Sequence, residues 1–201
     1  MLYTLCIMNT SYSTRRNTWL SLLIGSGLLI AGLYALYLVY SPAIHFAATD
    51  ITDNATTKYL ETTKPHPAKP KLLIPKIDVQ VPYGKDESSL LKGAWWRAPE
   101  NGNPRDGGNF VLAAHRFIMD YTPAGVAEKS PFYNIDKLEV GDTIYVDYEN
   151  ERYAYTVSEL KSVEPTATHI EHRTDDPQLT LYSCTLGGSL DGRVVVIATP
   201  V

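Results

Sequence analysis

Residues 18–40 form a run of 23 consecutive residues that contains no Asp, Glu, Lys or Arg side chain. A helix rises 1.5 Å per residue, so a helical run of this length reaches roughly 35 Å, against about 30 Å for the hydrocarbon core of a bilayer. A buried helix of a soluble protein is the alternative, but such a helix normally keeps one polar face over six turns. The run therefore predicts one transmembrane helix in contact with membrane lipid.

The charges beside this run predict its orientation. Arg15 and Arg16 precede it, and the first charged residues after it are Asp50 and Asp53. The positive-inside rule then places residues 1–17 in the cytoplasm and the rest of the chain outside the cell. A cleaved signal peptide would have a shorter apolar region and a small-residue cleavage site, which the residues after the run do not offer. We expect an uncleaved, single-pass anchor in the cell membrane.

Composition changes again after the anchor. Residues 41–70 are rich in Thr and Ala and contain Pro65, Pro67 and Pro70, which favour an extended backbone. We expect an extracellular stalk here, followed by one compact domain over residues 71–201. With 18 basic against 22 acidic residues, the chain has no excess of positive charge, and no nucleic-acid partner is expected.

Within the domain the hydrophobic pattern has a period of two. It alternates over 143–148 and again over 152–157, and Glu149 and Asn150 between these segments predict a tight hairpin turn. Similar strand patterns cover residues 72–81, 109–114, 178–183 and 193–199, whereas helical patterns are short, at 87–92 and 131–138. The pattern predicts a mostly β domain, a closed and mainly antiparallel barrel with short helices, preceded by the transmembrane helix.

Cys184 is the single cysteine of the predicted external domain, since Cys6 lies on the other side of the membrane and cannot pair with it. A lone exported thiol is an inert buried residue, half of an intermolecular disulfide, or a nucleophile. Cys184 ends an apolar strand and precedes Gly187 and Gly188. That position, at the rim of a barrel, favours the nucleophile.

A thiol nucleophile needs a proton-transfer partner and an oxyanion donor. His115 ends the apolar run 110–114 and is the best proton partner, although a hydrogen-bonded loop histidine is the plainer interpretation. Arg193 opens the last strand, where it is either a solvated strand end or a fixed donor beside Cys184. His169 and His172 are spaced as a helical pair, but they lack further ligands, and no metal site is expected.

Several motifs together resemble the sortase family, the membrane-anchored cysteine transpeptidases of bacterial surfaces. Residues 180–184 (TLYSC) are similar to the TLxTC signature of the family, and Arg193 follows where its active-site arginine stands. Residues 108–116 (GNFVLAAHR) resemble the segment around the family histidine, residues 73–77 its first strand, and residues 132–146 its central block. Ser183 in place of threonine and Ala114 in place of glycine are departures, and neither removes a catalytic group.

The resemblance implies a sortase-like barrel without a cofactor, in which Cys184 is the nucleophile, His115 the acid and base, and Arg193 the oxyanion donor. The implied substrate is a surface protein or pilin with an LPxTG-like sorting signal near its C-terminus. The implied acceptor is an amine of a cell-wall precursor or of a pilin lysine. Four residues are further candidates for substrate contact: Ser183, Thr185, Trp95 and Trp96.

Two other functions stay open from the sequence. A thiol hydrolase would pass the thioester to water and release surface proteins. A non-catalytic, membrane-tethered binding barrel would be expected to lose at least one of His115, Cys184 and Arg193, and all three are present.

Overall fold

The structure, a computed structural model, describes residues 11–66 and 69–201, so most of the predicted cytoplasmic tail lies outside it. The described helices are α1 (Ser11–Ala48), α2 (Ala55–Thr62) and α3 (Pro123–Lys129). The described strands are β1 (Lys71–Ile74), β2 (Val79–Gly84), β3 (Ala94–Arg97), β4 (Gly102–Asn103), β5 (Gly107–Ala113), β6 (Thr143–Tyr148), β7 (Glu151–Val163), β8 (Gln178–Thr185) and β9 (Gly188–Pro200). Short 3₁₀ helices cover Pro75–Ile77, Glu87–Leu91, Pro99–Asn101, Ile135–Lys137 and Thr168–Glu171.

Eight of these strands close into a barrel, in the order β3-β2-β1-β6-β7-β9-β8-β5, with β5 pairing back to β3. The short β4 pairs with β5 outside the ring. All neighbours in the ring are antiparallel except β2–β3 and β5–β8. The prediction of a closed, mostly antiparallel barrel with short helices and a preceding apolar helix is confirmed.

One predicted strand is wrong in detail. Residues 72–81 form a hairpin, with β1 ending at Ile74 and β2 returning antiparallel to it. Pro75 starts the connecting 3₁₀ turn, and Asp78 has a φ of 50°, a left-handed conformation that Asp adopts more readily than most residues. The apolar alternation on both sides of this turn concealed the reversal.

The barrel interior holds the hydrophobic core. Along β8, Leu179, Leu181 and Ser183 point inward and are buried, whereas Thr180 and Tyr182 point to the outer face. The same alternation on β3, β5 and β9 leaves a continuous outer face over these four neighbouring strands. This face carries the candidate site.

Helix α1 extends beyond the predicted anchor. Its segment Thr18–Ala48 is long and apolar enough to cross a membrane, and an 18-residue window of it has a mean hydropathy of 2.2 and is almost wholly exposed. Its C-terminal part contacts the barrel, and there Leu38 and Ser41 are buried. Helix and barrel are therefore joined directly, without a long spacer between them.

Helix α2 lies in the segment for which the sequence predicts an extended stalk. Asn54 caps it by accepting a hydrogen bond from the Thr57 amide (2.7 Å). Thr56 donates to Asp78 beside the β1–β2 turn (2.9 Å), and Arg152 donates to the carbonyls of Leu60 and Thr63 (3.1 Å each). Residues 54–63 are thus held against the barrel. The N-cap and these side-chain hydrogen bonds outweigh the preference of a Thr- and Pro-rich segment for an extended backbone.

Candidate active site

The parallel pairing of β5 with β8 brings His115 next to Cys184. Ala113 is the register partner of Tyr182, and the Ala114 amide donates to the Tyr182 carbonyl (3.2 Å). Continuing the same register by two residues places His115 beside Cys184. Sixty-nine positions of sequence separation are therefore closed by strand pairing alone.

The antiparallel pairing of β8 with β9 adds the arginine. Cys184 and Arg193 are direct register partners, and the Cβ atoms of such partners lie about 4.5–5.5 Å apart. Cys184 and Arg193 thus stand side by side on β8 and β9, and His115 follows two residues after the end of the neighbouring β5.

This row faces outward. Cys184 lies on the same side of β8 as Thr180 and Tyr182, opposite to the buried Leu179 and Leu181. Cys184 is half-buried and forms no disulfide among the described residues. The thiol therefore opens onto the outer face of the barrel wall close to its end, where a peptide can reach it.

His115 is partly buried, and this burial lowers the pKa of its imidazole. Its backbone is held in place because the Phe132 amide donates to the His115 carbonyl (3.2 Å). The side chain has no hydrogen-bond partner among the residues that the structure describes. The imidazole is therefore free to serve the thiol on one side and a substrate on the other.

Arg193 is fixed by its own hairpin. Its Nη1 donates to the carbonyls of Ser189 (2.8 Å) and Gly192 (3.0 Å). Within the described part of the chain its Nε and Nη2 make no hydrogen bond, and no carboxylate pairs with it. A guanidinium held by one arm keeps a rigid pair of donors for another group.

Arg116, next to the histidine, has a structural role that the sequence did not reveal. Its side chain is only 4% exposed and pairs with Asp136 (2.8 Å). Its Nε and Nη1 are buried without a partner in the described residues. The pair ties the residue after His115 to the 3₁₀ helix Ile135–Lys137.

A second polar cluster lies further along the outer face. Arg97 on β3 donates to both carboxylate oxygens of Glu171 (2.9 and 3.1 Å), and Tyr182 donates to the same carboxylate (2.5 Å). Burial raises the pKa of Tyr182, so its hydroxyl stays protonated. This cluster binds the 3₁₀ helix Thr168–Glu171 to β3 and β8, on the same outer face as Cys184. It was not predicted from the sequence.

The four predicted substrate contacts separate into two groups. Trp95 lies on the outer face under the Arg97 guanidinium (4.0 Å), and Thr185, the last residue of β8, donates to Asp191. Trp96 is only 6% exposed and packs inside the barrel against three aromatic rings, so a bound peptide cannot reach it. Ser183 is buried on the inner side of β8, and its hydroxyl donates to the Cys184 carbonyl (3.0 Å). Burial thus contradicts substrate contact for Trp96 and Ser183.

His169 and His172 do not join the row. They flank a cleft of about 280 Å³ near Thr180, four residues before Cys184, which corresponds to about 13 Å along a strand. In the part of the chain that the structure describes, no three His, Cys, Asp or Glu side chains converge as metal ligands would.

Comparison with known proteins identifies the family. A family model, the sortase domain, matches residues 72–201. The chain belongs to the sortase family. Sortase A of Listeria monocytogenes is 33% identical over 116 residues, which cover 56% of this chain and 47% of that protein. This chain therefore spans about half the length of that curated relative.

Solved structures show the same fold. Listeria monocytogenes sortase A has a TM-score of 0.52 at 25% identity, over 66% of this chain and 86% of that one. Sortase E1 of Streptomyces coelicolor, with a tripeptide in its active site, has a TM-score of 0.53 at 26% identity, over 66% and 87%. A Clostridium perfringens sortase D5 transpeptidase has a TM-score of 0.54 at 23% identity, over 84% and 98%.

Proposed function

We propose that this chain is a membrane-anchored cysteine transpeptidase that cleaves an LPxTG-like sorting signal and transfers the acyl group to an amine. The observation that carries the proposal is the row formed by Cys184 on β8, its register partner Arg193 on β9, and His115 just after the end of β5, on the outer face of the barrel. Membership in the sortase family supports the same reaction. The acceptor is an amine of a cell-wall precursor or of a pilin lysine.

The first half of the reaction forms a thioester. The imidazole of His115 accepts the proton of the Cys184 thiol and becomes an imidazolium. The thiolate then attacks the peptide carbonyl carbon to give a tetrahedral oxyanion. The imidazolium then protonates the departing amine as the carbon–nitrogen bond breaks. Since burial lowers the pKa of His115, its protonated form is a stronger acid than an exposed histidine and gives up this proton readily.

The second half resolves the thioester. The neutral imidazole of His115 accepts a proton from the incoming amine as its nitrogen attacks, and the Cys184 thiolate leaves. Water in place of the amine would give hydrolysis, so the residues of the row are compatible with both outcomes.

Arg193 stabilises the oxyanion in both halves. Its Nη1 is engaged by the hairpin carbonyls, which leaves Nε and Nη2 for the oxyanion or the neighbouring substrate carbonyl. Donors fixed before the reaction cost no reorganisation when the charge develops. The electrostatic part of catalysis is assigned to this guanidinium.

The anchor contributes by confinement. In the proposed topology α1 spans the membrane with its N-terminus in the cytoplasm, and the barrel lies outside the cell. Sorting-signal substrates leave the cell through the same membrane, so tethering raises their effective concentration at the barrel.

Mass spectrometry of the full chain in detergent, incubated with LPxTG-like peptides and an amine, tests the proposal. Wild type should gain the mass of an acyl group on Cys184 and release an amide product, whereas Cys184→Ala should do neither. Cys6→Ala is the matched control and should behave as wild type. Cleavage by Cys184→Ala would refute the nucleophile. A carboxylic acid product despite excess amine would indicate a hydrolase, and peptide binding without acylation a binding barrel.

A further inference from the structure

One end of the barrel carries a set of exposed apolar side chains. Strands β5 and β8 end there, and β6 and β9 begin there, so the loops 114–122, 138–142 and 186–187 share that end. The exposed large apolar side chains of these loops and of the first residues of β9 are Ile118, Met119, Tyr121, Val140, Leu186 and Leu190. Tyr121 and Leu190 are 90% and 91% exposed, and large apolar groups that cluster in this way mark a contact surface.

Helix α1 reaches the barrel at this same end. The Tyr34 hydroxyl donates to the Tyr121 carbonyl (2.8 Å), and the Tyr133 hydroxyl donates to the Val39 carbonyl (3.4 Å). Tyr34 lies within the uncharged run that predicts the membrane span. The loop that holds Tyr121 is therefore level with the last turns of the span.

The aromatic residues of α1 give the depth. Trp19 and Tyr37 are 18 residues apart, which is about 27 Å along a helix, close to the hydrocarbon thickness of about 30 Å. Trp and Tyr are enriched at the two interfaces of a bilayer. Tyr34 and Tyr37 are then at the headgroup level of the outer leaflet, and Tyr121 is at that level too.

Three of the basic groups at this end are paired with carboxylates, whereas Arg193 has no carboxylate partner among the described residues. Lys129 pairs with Asp120, Lys76 pairs with Glu139 (3.3 Å), and Arg116 pairs with Asp136 (2.8 Å). Paired charges lose less hydration energy when a surface approaches a bilayer than isolated charges do.

We propose that this end of the barrel rests on the outer surface of the bilayer that α1 spans, with Met119, Tyr121 and Leu190 in its headgroup region. The inference rests on the proposed function in that it takes α1 as the anchor. Its occupant is the lipid of the same membrane, because the apolar loops continue directly from the span.

The consequence concerns the reactive row. Ile118 is three residues after His115, and Leu186 is two residues after Cys184. The contact with lipid therefore holds the thiol within a few residues of the membrane surface. A sorting signal that has just left the bilayer meets the thiol there, before it extends into the wall.

Depth-dependent fluorescence quenching of the full chain in liposomes tests the contact. In a Cys6→Ala, Cys184→Ala background, Met119→Cys or Leu190→Cys carries an environment-sensitive fluorophore, in phosphatidylcholine–phosphatidylglycerol vesicles with brominated lipids. Both labels should shift to shorter wavelength and be quenched. Asn150→Cys, in the exposed β6–β7 turn at the opposite end, is the matched control and should show neither effect.

Alkaline carbonate extraction separates the two ways of failing. If the chain stays with the vesicles and the labels at 119 and 190 behave like the label at 150, the lipid contact is overturned and the anchor stands. If carbonate releases the chain, the anchor of the proposed function fails together with the contact.

Kinetics distinguish lipid from peptide as the occupant. Tyr121→Ser combined with Leu190→Ser should lower kcat/KM for a signal peptide tethered to the vesicle and leave kcat/KM for the same soluble peptide unchanged. Both side chains are exposed, so the melting temperature should not move. An equal fall for the soluble peptide would show that these residues contact substrate, and would overturn the proposal.

Discussion

Arg193→Lys is the substitution that most directly tests the proposed oxyanion donor. Arg193 uses Nη1 for the carbonyls of Ser189 and Gly192, and its Nε and Nη2 make no hydrogen bond within the described residues. A lysine ammonium is a single point, which cannot hold the hairpin and present a planar pair of donors at the same time. The charge is retained, so any loss reports geometry.

The expected magnitudes follow from these contacts. Loss of one oxyanion donor costs about 10²–10³ in rate, roughly 2.7–4 kcal/mol. Each hairpin hydrogen bond contributes about 0.5–1.5 kcal/mol to stability. Arg193→Ala, which removes both, should lower the free energy of unfolding by about 1–3 kcal/mol, whereas Arg193→Lys, which keeps one, should lower it by about 1 kcal/mol. Lysine is thus the cleaner probe.

Steady-state kinetics with a signal peptide and an amine, together with thermal melts, measure both quantities. Arg173→Lys is the matched control, because Arg173 is another basic side chain, beside the outer-face cleft near Thr180, and should keep nearly wild-type kcat/KM. If Arg193→Lys kept kcat/KM within a fewfold of wild type, Arg193 would be a structural charge. Oxyanion stabilisation would then belong to backbone amides.

Three further outcomes are expected. Asp136→Ala leaves the buried Arg116 guanidinium without its half-exposed counter-charge and should lower the free energy of unfolding by about 1.5–3 kcal/mol in urea titrations; a change within error would contradict the pair. Because burial lowers the pKa of His115, below about pH 6.5 the unfolded chain binds a proton at this residue more readily than the folded chain does. The melting temperature of wild type should therefore fall further on acidification than that of His115→Gln, and parallel curves would contradict the burial of His115. Trp96→Ala should cost about 3–5 kcal/mol in urea, whereas Trp95→Ala should mainly raise KM for the peptide; equal effects on stability would contradict their assignment to opposite faces.

Much of the barrel could be predicted because its strands alternate between a buried and an outward face. The pattern predicted β6 and the turn after it at the observed positions, but only the first half of β7, which continues to Val163. The pattern could not show that residues 72–81 fold back on themselves, because the reversal depends on Pro75 and on the left-handed backbone of Asp78. It also missed α2, whose helix depends on one cap and on partners more than twenty residues away.

For the site, residue types and apparent strand ends selected His115, Cys184 and Arg193, although Arg193 lies five residues inside β9 (Gly188–Pro200) and does not open that strand. The sequence did not show which side chains of a strand point to the outer face of the barrel and which point into its core. Trp95 and Trp96 look equivalent as neighbours, yet the pleat sends one outward and the other into the core. The cluster of Arg97, Glu171 and Tyr182 was also missed, because its three members come from separate segments of the chain.

Main-chain pairing of the strands positions Cys184, Arg193 and His115 relative to one another. Insertions and deletions in the loops should therefore be tolerated, whereas those within the strands should not. The loop between β7 and β8 could be replaced by one of another length, and the cysteine would still meet its histidine and arginine. Such an exchange would alter which peptide fits beside the row without altering the chemistry. One residue inserted within β8 would act differently, since it would turn the thiol into the core and Ser183 out to solvent. Loop grafting between members of this family should therefore transfer specificity, whereas frame changes inside these strands should abolish the reaction.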